Sequence, residues 1–240
     1  FESGRSNAYS LNVVVSDGDN SDIEAIIVNV TDTNDESPDL TVATPYSVAE
    51  GATSVGTVTT ADDDAGATFT YSLTGTDGGL FTITNVEGNG VIVFATAPDF
   101  ESGRSNAYAV TVNVTDGTNT DAKAITINVT DENDNTPDLT VATPYSVAEG
   151  IDAVGTVNAT DADAGTTITY SLTGTDALDF GIDSSSGVIT FAATTDFENA
   201  ADADTNNEYL LNVVASDGLN SDTKAIVVNV TDTNDESPDL

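Results

Sequence analysis

The sequence predicts an all-β protein built from tandem seven-stranded sandwiches. Two observations carry this prediction. β-Branched and aromatic residues fall in short runs that are separated by clusters of Gly, Asp, Asn and Pro. In addition, a segment that begins at Thr31 recurs at Thr130 and at Thr231, so the chain repeats itself about every 100 residues. That period is the size of one small domain.

The runs of one repeat predict its strands in order. They cover residues 40–43 with 46–49 as the first strand, and then 56–60, 68–73, 80–86, 91–95, 108–115 and 122–130. Residues 110–115 alternate apolar and polar side chains, as a strand with one buried face does. Pro38 and Pro137 precede the first strand, where an edge position tolerates a missing N–H. Seven short strands with one apolar face indicate an immunoglobulin-like Greek-key sandwich.

The phase of the repeat predicts the domain boundaries. Residues 1–36 correspond to the C-terminal part of a repeat, 37–135 and 136–236 are complete repeats, and 237–240 begin another. Residues 1–36 hold only two predicted strands, 9–16 and 24–31, and an isolated hairpin is marginal in water. Because Met is absent, we expect the chain to be a piece of a longer protein, with any export signal or anchor outside it. The alternative is that an identical chain completes the first sandwich by strand addition, head to tail.

The composition limits the possible partners. There are 41 acidic and 4 basic side chains, a net charge of −37, and such a surface repels nucleic acid and anionic lipid headgroups. No apolar stretch is long enough to insert into a membrane. The absence of Cys and His excludes disulfides, zinc thiolate sites, thiol nucleophiles and the commonest general base. Cations held by oxygen ligands are therefore the expected partners.

Many of the acids recur at predicted strand ends in phase with the repeat. The recurring motifs are Ala-Glu-Gly at Glu50 and Glu149, Asp-Phe-Glu at 99–101 and 196–198, Asp-x-Asp at 62–64 and 161–163, and Asp-Gly at Asp17, Asp116 and Asp217. A further motif, Asp-x-Asn-Asp at 32–35, 131–134 and 232–235, lies between repeats, and we call each copy with the residue after it a connector. Carboxylates and amides without His or Cys are ligands for a hard cation such as Ca²⁺.

Taken together and in this order, these motifs resemble the cadherin repeat over essentially the whole chain. The resemblance implies about three Ca²⁺ at each junction between complete repeats. Carried over to this sequence, it implies three sets of metal ligands. The intact junction would use Glu50, Asp99, Glu101, the Glu132 carbonyl, Asn133, Asp134, Asn135, Asp161, Asp163 and Asp217; the upstream junction Glu2, Asn34, Asp35, the Glu36 carbonyl, Asp62, Asp64 and Asp116; and the downstream end Glu149, Asp196, Glu198, Asn234 and Asp235.

The resemblance implies an extracellular, cell-surface segment that Ca²⁺ stiffens into a rod or filament for adhesion or matrix structure. Near-identical repeats, abundant Thr and Asp, and scarce Lys favour a large bacterial-type surface adhesin or extracellular fibre. The expected partners are neighbouring repeats, or identical chains head to tail. The alternative is a module for polysaccharide binding or homophilic recognition. Paired carboxylates could serve a glycosidase, but each pair recurs in the next repeat with a metal role, so we expect no enzyme.

Overall fold

The computed structural model describes residues 7–235 as short β-strands with two 3₁₀ turns, Gly78–Leu80 and Ala177–Asp179. Within that range no helix has the length and apolarity needed to cross a membrane. The strands are β1 Ala8–Ser16, β2 Ser21–Asn29, β3 Asp39–Thr41, β4 Tyr46–Ala49, β5 Ser54–Ala61, β6 Thr70–Thr74, β7 Phe81–Val86, β8 Asn89–Phe94, β9 Ala107–Thr115, β10 Thr120–Thr130, β11 Asp138–Thr140, β12 Tyr145–Ala148, β13 Ala153–Thr156, β14 Asn158–Thr160, β15 Thr169–Thr173, β16 Phe180–Ile182, β17 Val188–Phe191, β18 Glu208–Ser216 and β19 Ser221–Thr231.

The chain divides into two compact units, residues 1–130 and 131–240. In the first unit, one four-stranded sheet has the strand order β4-β10-β9-β6 and a second has β3-β5-β8-β7, while β1 and β2 form a separate two-stranded sheet. Strand β4 runs parallel to β10, and the other pairs are antiparallel. The second unit repeats this order as β12-β19-β18-β15 in one sheet, with β13-β17-β16 and β11-β14 making up the other. The predicted all-β sandwich fold is thus confirmed.

The structure divides the first predicted strand between two sheets. Strand β3 pairs with β5 and begins directly after Pro38, whereas β4 pairs with β10 in the opposite sheet. In the second unit the counterpart of β5 is also interrupted, giving β13 and β14 around Val157. Strand pairing across a sandwich depends on residues distant in sequence, so the residue pattern alone does not locate such breaks.

Each sandwich encloses its own apolar core. Along β9, the alternating residues Tyr108, Val110, Val112 and Val114 are buried, as the period-2 pattern predicts. The Tyr108 ring packs edge-to-face against two phenylalanine rings, with centroid distances of 5.7 Å to Phe81 and 5.4 Å to Phe94. Phe180, Phe191 and Tyr209 form the same cluster in the second unit. Such edge-to-face aromatic contacts add to the stability that burial provides.

The hairpin of β1 and β2 carries the same apolar pattern without the same burial. Tyr9 is 50% exposed and Val13 53%, whereas their counterparts Tyr108 and Val112 are 7% and 0% exposed. The register of β1 on β2 matches that of β9 on β10, since Tyr9 lies opposite Val28 and Tyr108 opposite Ile127. The hairpin therefore presents an apolar sheet face of the kind that is core in the complete sandwiches.

Candidate metal centre

Strand ends bring three carboxylates together at the same place in each unit. Asp62 and Asp64 follow β5 and Asp116 follows β9, and one carboxylate oxygen of each lies within 4.8 Å of the others. In the second unit, the equivalent cluster within the same distance consists of Asp161, Asp163 and Asp217. These two groups, named here the upper clusters, unite acids that are more than 50 residues apart in sequence.

The Asp-Gly motif positions one acid of each upper cluster. Gly117 has φ +101°, a conformation that glycine adopts without steric cost, and this lets the turn after β9 fold back on Asp116. The Asp116 Oδ1 atom accepts hydrogen bonds from the N–H groups of Thr118 and Asn119, both at 2.7 Å. The bonds from Asn119 and Thr118 lower the pKa of Asp116 and outweigh burial, which raises it. Asp116 is therefore held as a carboxylate anion.

The Asp-x-Asp acids are held by their own loop and by the connector. The Asp64 N–H donates to Asp62 at 2.9 Å, and the Glu36 N–H donates to Asp64 at 3.0 Å. In the second unit, the Asp163 N–H donates to the Asp161 carboxylate, and the Asp163 carboxylate accepts the Asn135 N–H, both at 3.0 Å. Burial, followed by the nearby charges of Asp62 and Asp32, raises the pKa of Asp64 despite these hydrogen bonds. A neighbouring cation would relieve that cost.

Several buried carboxylate oxygens of the upper clusters have no hydrogen-bond partner within residues 7–235. They are Asp62 Oδ2, Asp64 Oδ1, Asp116 Oδ2, Asp161 Oδ2 and Asp217 Oδ2. Burying an ionised carboxylate without a partner is unfavourable unless a counter-charge compensates it. The donor set is entirely oxygen, which suits a hard divalent cation such as Ca²⁺. The residues at these two places therefore fit the expected metal.

The two connectors differ at the position of Asn135. The Asn135 side-chain amide donates to Asp163 Oδ1 at 2.7 Å. Glu36 stands at this position in the upstream connector and carries no amide, and Asp64 Oδ1 has no partner in the part of the chain that the structure describes. Asp64 Oδ1 thus lacks the amide contact that Asn135 gives to Asp163 Oδ1.

A third carboxylate cluster lies in the second unit beside β12. One oxygen each from Glu149, Asp196 and Glu198 lies within 4.8 Å of the others. Glu149 accepts the Phe197 N–H at 2.6 Å, the Thr233 N–H at 2.7 Å and the Thr233 hydroxyl at 3.1 Å. The bonds from Phe197 and Thr233 lower the pKa of Glu149. We name this group the lower cluster, and it contains three of the five predicted downstream ligands.

The remaining predicted ligands lie in loops of one unit or the other. In the first unit, Glu50 accepts the Phe100 N–H at 2.6 Å, as Glu149 does from Phe197, and Asp99 accepts the Glu101 N–H at 3.1 Å. Asn34 and Asp35 belong to this unit, while Glu132, Asn133, Asp134, Asn234 and Asp235 belong to the second. Glu2 and residues 237–240 fall outside the described residues.

The structure adds residues that the sequence reasoning missed. Asp32 and Asp131 accept the N–H groups of Ala65 and Ala164 through one oxygen, while the other oxygen is buried without a partner among residues 7–235. The sequence contains a pattern that identifies both residues, because each is the first Asp of a recurring Asp-x-Asn-Asp connector. Thr233, which binds Glu149, carried no comparable signal.

The fold and the clusters together define a class of protein, in which tandem β-sandwich repeats carry groups of carboxylates at their strand ends. Residues 143–231, which lie in the second unit, match the cadherin domain family. The match agrees with the resemblance found in the sequence and with the expected extracellular, cell-surface location.

Relatives of known name align with nearly the whole chain. The protocadherin-like wing polarity protein stan of Drosophila melanogaster is 35% identical over 99% of this chain. The cadherin EGF LAG seven-pass G-type receptor 2 of mouse is 36% identical over 96%. The chain spans only 7% and 8% of these relatives. Both are animal proteins, and the expectation of a bacterial-type adhesin finds no support in them.

Solved cadherin structures share the fold. Domains EC22-24 of mouse cadherin-23 superpose with a TM-score of 0.64 at 25% identity, covering 94% of this chain and 74% of that one. Extracellular cadherin domains 1-4 of protocadherin gamma B7 give a TM-score of 0.71 at 22% identity, covering 97% of this chain and 59% of theirs. Another protocadherin gamma B7 structure, EC3-6, is described as a cis-dimer.

Proposed function

We propose that this chain is a segment of an extracellular adhesion protein whose tandem sandwiches bind Ca²⁺ where one repeat joins the next. The observation that carries the proposal is the set of buried carboxylate oxygens in the upper clusters, which have no partner among the described residues. Calcium takes about six to eight oxygen ligands and would supply the missing counter-charge. The proposal places complete repeats at residues 37–135 and 136–236.

The proposal assigns about three Ca²⁺ to the junction between the complete repeats, as the resemblance implies. The ligands are Glu50, Asp99, Glu101, the Glu132 carbonyl, Asn133, Asp134, Asn135, Asp161, Asp163 and Asp217, with Asp131 added for its buried, unpartnered oxygen. The upstream site comprises Glu2, Asn34, Asp35, the Glu36 carbonyl, Asp62, Asp64 and Asp116, with Asp32 added on the same ground. The downstream site comprises Glu149, Asp196, Glu198, Asn234 and Asp235.

Calcium would stiffen the chain by changing the electrostatics of its connectors. Without metal, carboxylates a few ångströms apart repel one another by about 1 kcal/mol or more per pair, even with strong screening. A cation that binds both a connector and the loops flanking it favours the conformation in which all its ligands converge. Loose connectors thereby become ordered ones, and a string of sandwiches becomes a rod.

The proposed role is structural and adhesive rather than enzymatic. Its partners are neighbouring repeats of the same chain or identical chains, and homophilic recognition is the favoured form of adhesion because the aligned relatives are named as cadherins. Polysaccharide binding finds no support in these relatives.

Calcium titration with matched variants tests the metal sites. We expect wild-type protein to bind several Ca²⁺ by isothermal titration calorimetry, and Glu101→Gln or Asp134→Asn to remove ions from the junction. Asp152→Asn is the control, because Asp152 is exposed and belongs to none of the clusters. Equal binding by wild type and both ligand variants would overturn the proposed sites.

A further inference from the structure

The turn that positions the last acid of each upper cluster carries a second recurring polar residue. The sequence Asp-Gly-x-Asn occurs three times, and it ends at Asn20, Asn119 and Asn220. In each copy the Asn N–H donates to the Asp of the same turn, at 2.7 Å, 2.7 Å and 2.6 Å in chain order. Backbone contacts of this kind need no Asn side chain, although the side chain of each Asn also helps to lower the pKa of the Asp in its turn through a hydrogen bond.

In the second unit, the Asn220 side chain reaches the connector. Its amide donates to the backbone carbonyl of Asn135 at 2.8 Å and to the side-chain oxygen of Asn133 at 3.3 Å. Asn220 lies three residues after Asp217, so one side chain links the turn that holds an upper-cluster acid to the connector, 85 residues away in sequence.

The first unit repeats this contact with a different connector sequence. The Asn119 amide donates to the Glu36 carbonyl at 2.6 Å. Glu36 and Asn135 differ in side chain but present the same backbone carbonyl. The contact is therefore made to the main chain at the position whose carbonyl is a proposed metal ligand.

We propose that Asn119 and Asn220 are positioning residues that hold the connector carbonyl against the upper cluster before Ca²⁺ binds. A carbonyl oxygen has two lone pairs, so it can accept the amide N–H and face a cation at once. Partners of metal ligands that fix ligand orientation commonly change metal affinity about 10-fold or more when they are removed. The inference rests on the proposed calcium function and deepens it.

The substitution Asn220→Asp separates a positioning role from a ligand role. It keeps the backbone and the side-chain shape, but replaces the N–H donor with an oxygen that repels the Asn135 carbonyl. We expect the affinity for Tb³⁺ and Ca²⁺, measured by Tb³⁺ luminescence and Ca²⁺ competition, to fall about 10-fold. In EDTA, we expect the Asn135 amide to exchange with solvent faster than in wild type, by NMR. Asn20→Asp is the control, because it changes the same turn in the β1–β2 hairpin.

The outcomes distinguish this inference from the function on which it rests. Wild-type protein that binds no Ca²⁺ at millimolar concentration would overturn both. Wild-type binding with unchanged or tighter binding by Asn220→Asp would overturn the positioning role alone, since a metal ligand gains from a carboxylate. Asn119→Asp provides a second test in the other unit should Asn220→Asp fail to fold.

Discussion

Backbone N–H groups hold several carboxylates of the clusters in place. Asp116, Asp217 and Glu149 each accept at least two such bonds, and their pKa values fall below the ordinary range. For Asp217, burial is the largest influence and raises the pKa, but the bonds from Asn220 and Leu219 outweigh it. These hydrogen bonds therefore favour the ionised form of all three carboxylates, which is the form that calcium binding would require.

At the residue scale, the lower cluster gives a first prediction. Glu149→Gln replaces one oxygen that accepts N–H groups with an amide that itself donates, so it breaks the contact with either Phe197 or Thr233. We expect the second unit to melt at a lower temperature in EDTA, followed by circular dichroism. Glu208→Gln, at an exposed position, is the control and should leave the melting temperature unchanged.

Asp183 gives a pH prediction away from the clusters. Its Oδ1 atom accepts the hydroxyl and N–H groups of Ser185 and Ser186, and these bonds lower its pKa well below the ordinary range. A lowered folded-state pKa contributes stability above the unfolded pKa of about 3.9 and loses it as the pH falls further. We expect Asp183→Ala to destabilise the protein near pH 7, with the difference from wild type shrinking below about pH 4. Denaturation curves that differ equally at both pH values would contradict this.

The repeat pattern singled out the acids that the structure groups into clusters, but it did not single out the residues that hold those acids. Asp62, Asp64 and Asp116 were identifiable because they recur in phase with Asp161, Asp163 and Asp217. Asn220 recurs too, but its role requires knowing that its turn faces a connector 85 residues away. Supporting contacts of this kind are tertiary contacts. The repeat shows that a residue recurs in the sequence, but it does not show which residue that side chain contacts.

At the element scale, strand type was predictable and strand continuity was not. The alternation in β9 predicted its buried face residue by residue. The division of the first strand between β3 and β4 depends on which sheet edge each piece meets, and local propensity carries no information about that. The same holds for the interruption at Val157, which separates β13 from β14.

Equivalent strands with different burial provide a matched pair for mutation. Val112→Ala removes methyl groups from a side chain with 0% exposure, and we expect it to cost about 2 kcal/mol in the free energy of unfolding. Val13→Ala is the same change at the equivalent position of β1, where the side chain is 53% exposed, and should cost much less. Chemical denaturation measures both, and equal costs would show that the β1–β2 face is covered in solution.

At the scale of the whole molecule, the acids behind the net charge of −37 divide into those in the clusters and those elsewhere on the surface. Composition predicted that cations bind, and the clusters indicate which carboxylates would receive them. The other acids form a solvated surface that favours solubility and opposes non-specific association. We therefore expect a calcium-dependent rise in melting temperature that persists at high NaCl concentration, since buried clusters are screened less than surface charges.

Small-angle X-ray scattering, with and without calcium, tests the central claim most directly. The account predicts that wild-type protein has a longer and more sharply defined maximum dimension in millimolar Ca²⁺ than in EDTA, and that the Glu101→Gln, Asp134→Asn double variant stays in the EDTA form under both conditions. Scattering profiles of wild-type protein that coincide in Ca²⁺ and EDTA would contradict it.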